Sequence, residues 1–155
     1  MKSPAAIWNL LETIPDPEIP VLSIVDLGII RQAELQDRSV IITITPTYTG
    51  CPAMDLIALQ IKATLQEAGY ESVQIKETLS PAWTTDMISS KGKIALEKYG
   101  IAAPDRRFSI PEDGIGCPHC RSENTRLISE FGSTPCKALY QCSDCLEPFD
   151  YFKCH

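Results

Sequence analysis

Four of the seven cysteines form two tight pairs, Cys117-Pro-His-Cys120 and Cys142-Ser-Asp-Cys145, with twenty-one residues between the pairs. A C-x-x-C turn presents two thiolates on one side of a short knuckle, and two such knuckles close a four-sulfur shell around one tetrahedral ion. Zinc is the default occupant of four thiolates, and a rubredoxin-like iron or a two-iron cluster uses the same ligand type. The segment that carries the pairs is short and poor in large aliphatic side chains. A bound metal would therefore decide whether it folds. A thioredoxin-like redox role is disfavoured because neither pair lies in a βαβ pattern. Cys136, Cys154, His119 and His155 share the segment, but the spacing selects the two pairs as the ligand set.

Cys51 is a different kind of cysteine. It stands alone, just ahead of a helix expected to begin at Pro52 or Ala53. A thiol there faces unsatisfied N–H groups and the positive end of the helix dipole, which lowers its pKa and favours the thiolate. Gly50 permits close backbone approach, and Thr45, Thr47 and Thr49 supply hydroxyls nearby. The chemistry on offer is a transient metal or sulfur ligand, or a nucleophile; a buried, inert packing cysteine is the alternative. Asp26, an acid among apolar residues in Ser23-Ile24-Val25-Asp26-Leu27-Gly28, is a second candidate, with turn capping as its plain reading. Asp16 and Glu18, between prolines, read as an exposed loop pair. No histidine precedes residue 119, so Ser-His-Asp and Cys-His catalytic sets are unavailable in the first hundred residues. There is no Gly-rich phosphate loop.

The elements that must hold these residues follow from periodicity. Ser3-Pro4 opens a helix with a cap and a first-turn proline. Ile7, Leu10, Leu11 and Ile14 then share one face. The prolines of Ile14-Pro-Asp-Pro-Glu-Ile-Pro20 stop it. A strand around Ile29–Leu35 and another over Val40–Thr45 form a hairpin, with Val40, Ile42 and Ile44 on one side. A helix from Ala53 to Ala68 buries Met54, Ile57, Ile61, Leu65 and Ala68 and stops at Gly69. A third strand covers Val73–Lys76. A last helix is expected from near Thr85 to Tyr99, weakened at Gly92. The order helix-strand-strand-helix-strand-helix describes an α+β domain, a small mixed sheet with flanking helices, over residues 1–104. Residues 105–114 read as a linker, and 115–155 as a zinc-ribbon-like domain with strands at Thr125–Ile128 and Ala138–Gln141.

Composition narrows the setting. No apolar run approaches the ~20 residues that span a bilayer, and the N-terminus lacks the pattern of a signal peptide. Many cysteines without an export signal suggest a reducing, cytoplasmic environment in which they serve metal chemistry. The net charge of −6 is shared evenly: residues 1–110 carry 13 acidic against 10 basic side chains, and 111–155 carry 7 against 4. Neither part has the basic footprint of a nucleic-acid binder. Protein partners and metal traffic fit these charges better.

Three separated segments carry a family likeness. Residues 16–31 (DPEIPVLSIVDLGIIR), 45–57 (TPTYTGCPAMDLI) and 80–89 (SPAWTTDMIS) resemble the iron–sulfur cluster assembly domain of the SufT-like group, in the same order. The ending GSTPCKALYQCSDCLEPFDYFKCH is similar to the PaaD-type component of phenylacetyl-CoA epoxidase systems. The resemblance implies an accessory or maturation factor of phenylacetate breakdown, not itself catalytic, working beside an oxygenase and a reductase. It implies a reactive Cys51, a signature acid at Asp26, a structural zinc in the ribbon and transient iron or an iron–sulfur cluster on the assembly domain. One thiolate cannot hold a cluster, so a partner or a homodimer would complete the site. Arg121 and Leu146 stand where many zinc knuckles carry glycine.

Overall fold

In the computed structural model, residues 2–47, 51–102, 115–132 and 137–152 are described. The chain divides into two compact units, one of residues 1–83 with 87–89, the other of 84–86 with 90–155.

The first unit begins with α1 (Pro4–Glu12). Ser3 caps it, its Oγ accepting from the Ala6 N–H at 3.2 Å, and Ile7 and Leu11 are buried. The proline-rich segment that follows is a folded turn. The Asp16 amide donates to the Leu22 carbonyl at 2.8 Å and the Ile24 amide to that of Ile14 at 2.9 Å. β1 (Ile30–Gln36) and β2 (Ser39–Ile44) form the expected antiparallel hairpin. Val40, Ile42 and Ile44 turn inward from the central strand and are at most 1% exposed. α2 (Ala53–Glu67) then crosses over to β3 (Ser72–Glu77), which pairs parallel with β2, in the sheet order β1-β2-β3. Met54, Ile57, Ile61 and Leu65 are the buried stripe of α2. Ala68 is exposed, because it is the C-cap and the stripe ends before it.

The expected final helix is broken. A 3-10 turn (Thr85–Met87) precedes α3 (Ser90–Lys98). The break lies at Ser89, whose amide donates to the Asp26 carbonyl at 2.8 Å and whose hydroxyl donates to Asp26 Oδ1 at 2.7 Å. These tertiary bonds outweigh continued helix. Gly92 does not interrupt α3 and is buried within it.

The second unit holds a four-stranded sheet in the order β4-β7-β6-β5, from β4 (Ile101–Ala102), β5 (Thr125–Ser129), β6 (Lys137–Cys142) and β7 (Pro148–Phe152). β5 and β6 lie at the expected places. β7 has no counterpart among the strands expected from sequence, although Phe149 and Tyr151 alternate along it and both are buried. β4 pairs parallel with β7, which groups α3 and β4 with the ribbon, whereas the sequence pattern assigns residues up to 104 to the first domain. Two residues are too few to announce a strand; only the pairing makes one. The expected linker, residues 105–114, lies outside the described residues.

Candidate metal centre and thiol site

The sheet of the second unit brings the two cysteine pairs together. Cys117 and Cys120 lie on the turn before β5, Cys142 ends β6, and Cys145 follows in the turn to β7. All four Sγ atoms lie within 4.8 Å of one another. Cys117 and Cys145 are 3.7 Å apart, and Cys120 and Cys142 are 3.5 Å apart. Zn–S bonds of about 2.3 Å in a tetrahedron require S···S separations of about 3.8 Å, so the set fits one tetrahedral zinc.

Each knuckle is closed by the same backbone logic. The Cys117 amide donates to the Ser122 carbonyl at 2.9 Å, and the Cys142 amide to the Glu147 carbonyl at 3.0 Å. Amides also point at sulfur, from His119 to Cys117 Sγ at 3.4 Å and from Cys145 to Cys142 Sγ at 3.5 Å. Arg121 and Leu146 adopt left-handed φ values of 65° and 66°. The turn that glycine usually provides is therefore made by residues with a Cβ.

The knuckles are tied to each other. The Ser143 amide donates to the Asn124 carbonyl at 2.8 Å. Asp144 accepts from the Ser122 hydroxyl and, at 3.2 Å, from Asn124 Nδ2. These two donors hold its carboxyl below the usual range, Ser122 contributing most.

Beneath the sulfurs lie Ala102, Ile115, Ala138, Tyr140, Phe149 and Tyr151. Tyr140 stacks on Phe149 with centroids 5.9 Å apart and meets Tyr151 edge-on at the same separation. Burial raises the Tyr140 pKa.

Without metal the thiols are unequal. The Cys145 amide is the main influence holding Cys142 down to about 7. At Cys145 the Glu147 amide pulls the same way, but burial and the three cysteine neighbours outweigh it and push that thiol up to about 12. A divalent ion removes this conflict, because its charge stabilises all four thiolates together. His119 is not in the sulfur set; its imidazole lies over Gly100, with Cε1 3.2 Å from where a Cβ would stand. Cys136, Cys154 and His155 lie outside the described residues.

Cys51 belongs to the first unit, half-buried at the start of α2. Its carbonyl accepts the Met54 amide at 3.3 Å. Pro52 occupies the N-cap and makes no side-chain cap bond. Proline cannot supply the oxygen acceptor that usually serves first-turn amides at this position. Thr49 and Gly50 lie outside the described residues, and Thr45 is fully buried.

Asp26 is 9% exposed and knitted into its turn, accepting from Ser23 Oγ at 3.1 Å and from Ser89 Oγ at 2.7 Å. In the structure it fastens two of the motif segments. Asp16 corrects the expectation of an exposed pair with Glu18: it is 4% exposed, and its Oδ1 accepts the Glu18 and Ile19 amides at 2.9 and 2.8 Å. A short acid beside its own turn amides is drawn inward by them.

Residues that the motifs contain but that sequence reasoning did not single out complete the assembly. Arg31 is the extra residue where the β1–β2 register shifts. Such a bulge re-aims its side chain. The Arg31 Nε donates to Thr45 Oγ1 at 3.0 Å, and its Nη2 donates to the Pro81 carbonyl. Trp83 Nε1 donates to the Leu27 carbonyl at 2.9 Å. The first motif segment is thus hydrogen-bonded to each of the other two. The available signal was a single arginine closing an apolar run, Leu-Gly-Ile-Ile-Arg31.

Two family models match parts of this chain. Residues 4–76 match the iron-sulfur cluster assembly protein family model, and residues 102–153 match the PaaD zinc beta ribbon domain. A crystal structure of a domain of unknown function, DUF59, from Bacillus anthracis superimposes with a TM-score of 0.56 and 27% identity, covering 59% of this chain and 89% of that one. The Fe-S protein maturation auxiliary factor SufT of Staphylococcus aureus (strain USA300) is 36% identical over 83 residues, 52% of this chain and 93% of its own. A protein of Escherichia coli (strain K12) named as the D component of 1,2-phenylacetyl-CoA epoxidase is 48% identical over 151 residues, 96% of this chain and 91% of its own. An iron–sulfur assembly-type domain followed by a PaaD zinc ribbon, aligned with that relative over nearly its whole length, shows that this chain belongs to the family of PaaD-type phenylacetyl-CoA epoxidase components.

Proposed function

We propose that this protein is a maturation factor for a multicomponent phenylacetyl-CoA epoxidase, delivering iron or an iron–sulfur cluster to the oxygenase or its reductase. Cys51 is the iron-handling thiolate in this reading. The observation that carries it is the position of Cys51, half-buried at a helix start whose N-cap proline offers no acceptor, in a domain of the iron–sulfur assembly family. The positive end of a helix favours thiolate over thiol. One thiolate binds iron weakly enough to release it, which suits a carrier and not a store.

Asp26 serves this site as a positioning residue, through Ser89 and the segment it anchors. The ribbon holds zinc through Cys117, Cys120, Cys142 and Cys145, a closed four-thiolate shell with no open position for substrate. Its role is to fold and to present a surface to the client proteins. No helix among the described residues is long and apolar enough to cross a membrane. The reading places the chain in the reducing cytoplasm, where these thiols stay available.

The test is Cys51→Ala. The oxygenase and reductase are isolated from cells carrying either form, and their iron and sulfide are measured. A clear loss in one of them is expected. Unchanged iron and sulfide would favour the other reading, a non-catalytic scaffold component with a purely structural zinc.

A further inference from the structure

Helix α2 turns one face inward and leaves a second apolar stripe outside. Leu56 is 45% exposed and Leu59 is 64% exposed, and Ala63 is exposed beside them. The spacing of three and then four residues is that of a coiled-coil seam, with Leu56 at a, Leu59 at d and Ala63 at the next a. The flanking positions are then Asp55 and Lys62 at g, and Gln60 and Glu67 at e.

We infer that this stripe is the contact between two copies of the chain, with their α2 helices side by side and parallel. Parallel pairing sets g of one helix against the following e of the other. Lys62 then meets Glu67 of the second copy, and Asp55 meets the Gln60 side chain, each twice by symmetry. These pairings are complementary in charge and in hydrogen bonding.

The inference rests on the iron-handling role proposed for Cys51 and deepens it. A parallel pair sets both Cys51 residues at the same end, across helix axes about 8–10 Å apart. An antiparallel pair centred on Leu59 would separate them by about 24 Å along the axis, at 1.5 Å per residue. A lone thiolate cannot hold a cluster, whereas two thiolates brought to one end of the pair offer the start of one ligand set. The second copy therefore contributes a residue that the site lacks. The seam spans only two turns, so the dimer is weak and readily parted.

The test uses the full, zinc-loaded chain without iron. Cys136→Ser and Cys154→Ser leave Cys51 as the one cysteine outside the metal set. Sedimentation over a concentration series is expected to show a monomer–dimer equilibrium. A bismaleimide spanning about 10 Å, the separation of packed helices, is expected to link Cys51 to Cys51. Leu59→Glu, at an exposed position, should weaken the dimer at least tenfold with unchanged circular dichroism. Lys62→Glu should weaken it, and Lys62→Glu with Glu67→Lys should restore it. A chain that stays monomeric, or a dimer indifferent to Leu59→Glu, overturns the inference. A Leu59-dependent dimer without the Cys51 cross-link overturns the parallel arrangement. Cys51→Ala should leave the dimer intact, so its effect on client iron reads the maturation role separately.

Discussion

Arg121 and Leu146 close the two metal knuckles in a conformation that L-residues adopt at a cost of about 1 kcal/mol or more each. Glycine adopts it freely. Arg121→Gly and Leu146→Gly are therefore each expected to stabilise the zinc-loaded ribbon by up to about 1 kcal/mol, read as a higher urea midpoint with unchanged zinc content. Trp83 acts at the same scale in the first unit. Trp83→Phe keeps most of the buried ring but orphans the Leu27 carbonyl, and should lower stability by about 1–2 kcal/mol in chemical denaturation. The buried carboxylates are met by hydrogen-bond donors, Asp16 by the Glu18 and Ile19 amides and Asp26 by the Ser23 and Ser89 hydroxyls.

Between elements, Gly28 is the tightest join. Its φ is +80°, and a Cβ there would stand 2.4 Å from the Met87 carbonyl oxygen. Gly28→Ala adds a forbidden contact to an unfavourable backbone angle, and a loss of at least about 2–3 kcal/mol is expected by urea titration. The clash would push the Met87–Ser89 segment off the Asp26 turn, so the same variant should impair any role of that turn. The central strand and the crossover helix were readable because each buries one continuous face with its own period. The break before α3 was not readable. It depends on Ser89 meeting Asp26, sixty-three residues away, and no local pattern records that meeting.

For the molecule as a whole, the two units draw on different sources of stability. The first has an aliphatic core with many fully buried isoleucines and leucines, each worth roughly 1.5–3 kcal/mol on burial. Among the described residues, the second has a cluster of eight buried residues, two of them cysteines of the four-sulfur set. Chelation of the metal is expected to unfold the second unit and leave the first folded. Circular dichroism and amide exchange after EDTA treatment would show protection retained in α1, α2 and the β1–β3 sheet. Metal affinity should also depend on pH in a fixed sense. Binding requires four thiolates, and in the metal-free set Cys142 titrates at about 7 and Cys145 at about 12. Metal thus displaces protons at neutral pH. Affinity should rise with pH across this window and fall steeply below about pH 7, as measured by competition with a zinc chelator.

By itself the sequence determined the family, the α+β class and the two cysteine pairs that the structure gathers into one cluster. Ligand pairs, helix caps and strand alternation are local, and their chemistry can be read within a few residues. The tertiary structure alone decided that three distant motifs are hydrogen-bonded together, through Asp26 to Ser89, Trp83 to Leu27 and Arg31 to Thr45 and Pro81. It also joined Asp26 to Ser89, turned Asp16 inward, and made a strand of Ile101–Ala102. The reason is the same in each case. A polar group takes the partner that folding brings to it, and a partner far along the chain leaves no trace in the local pattern.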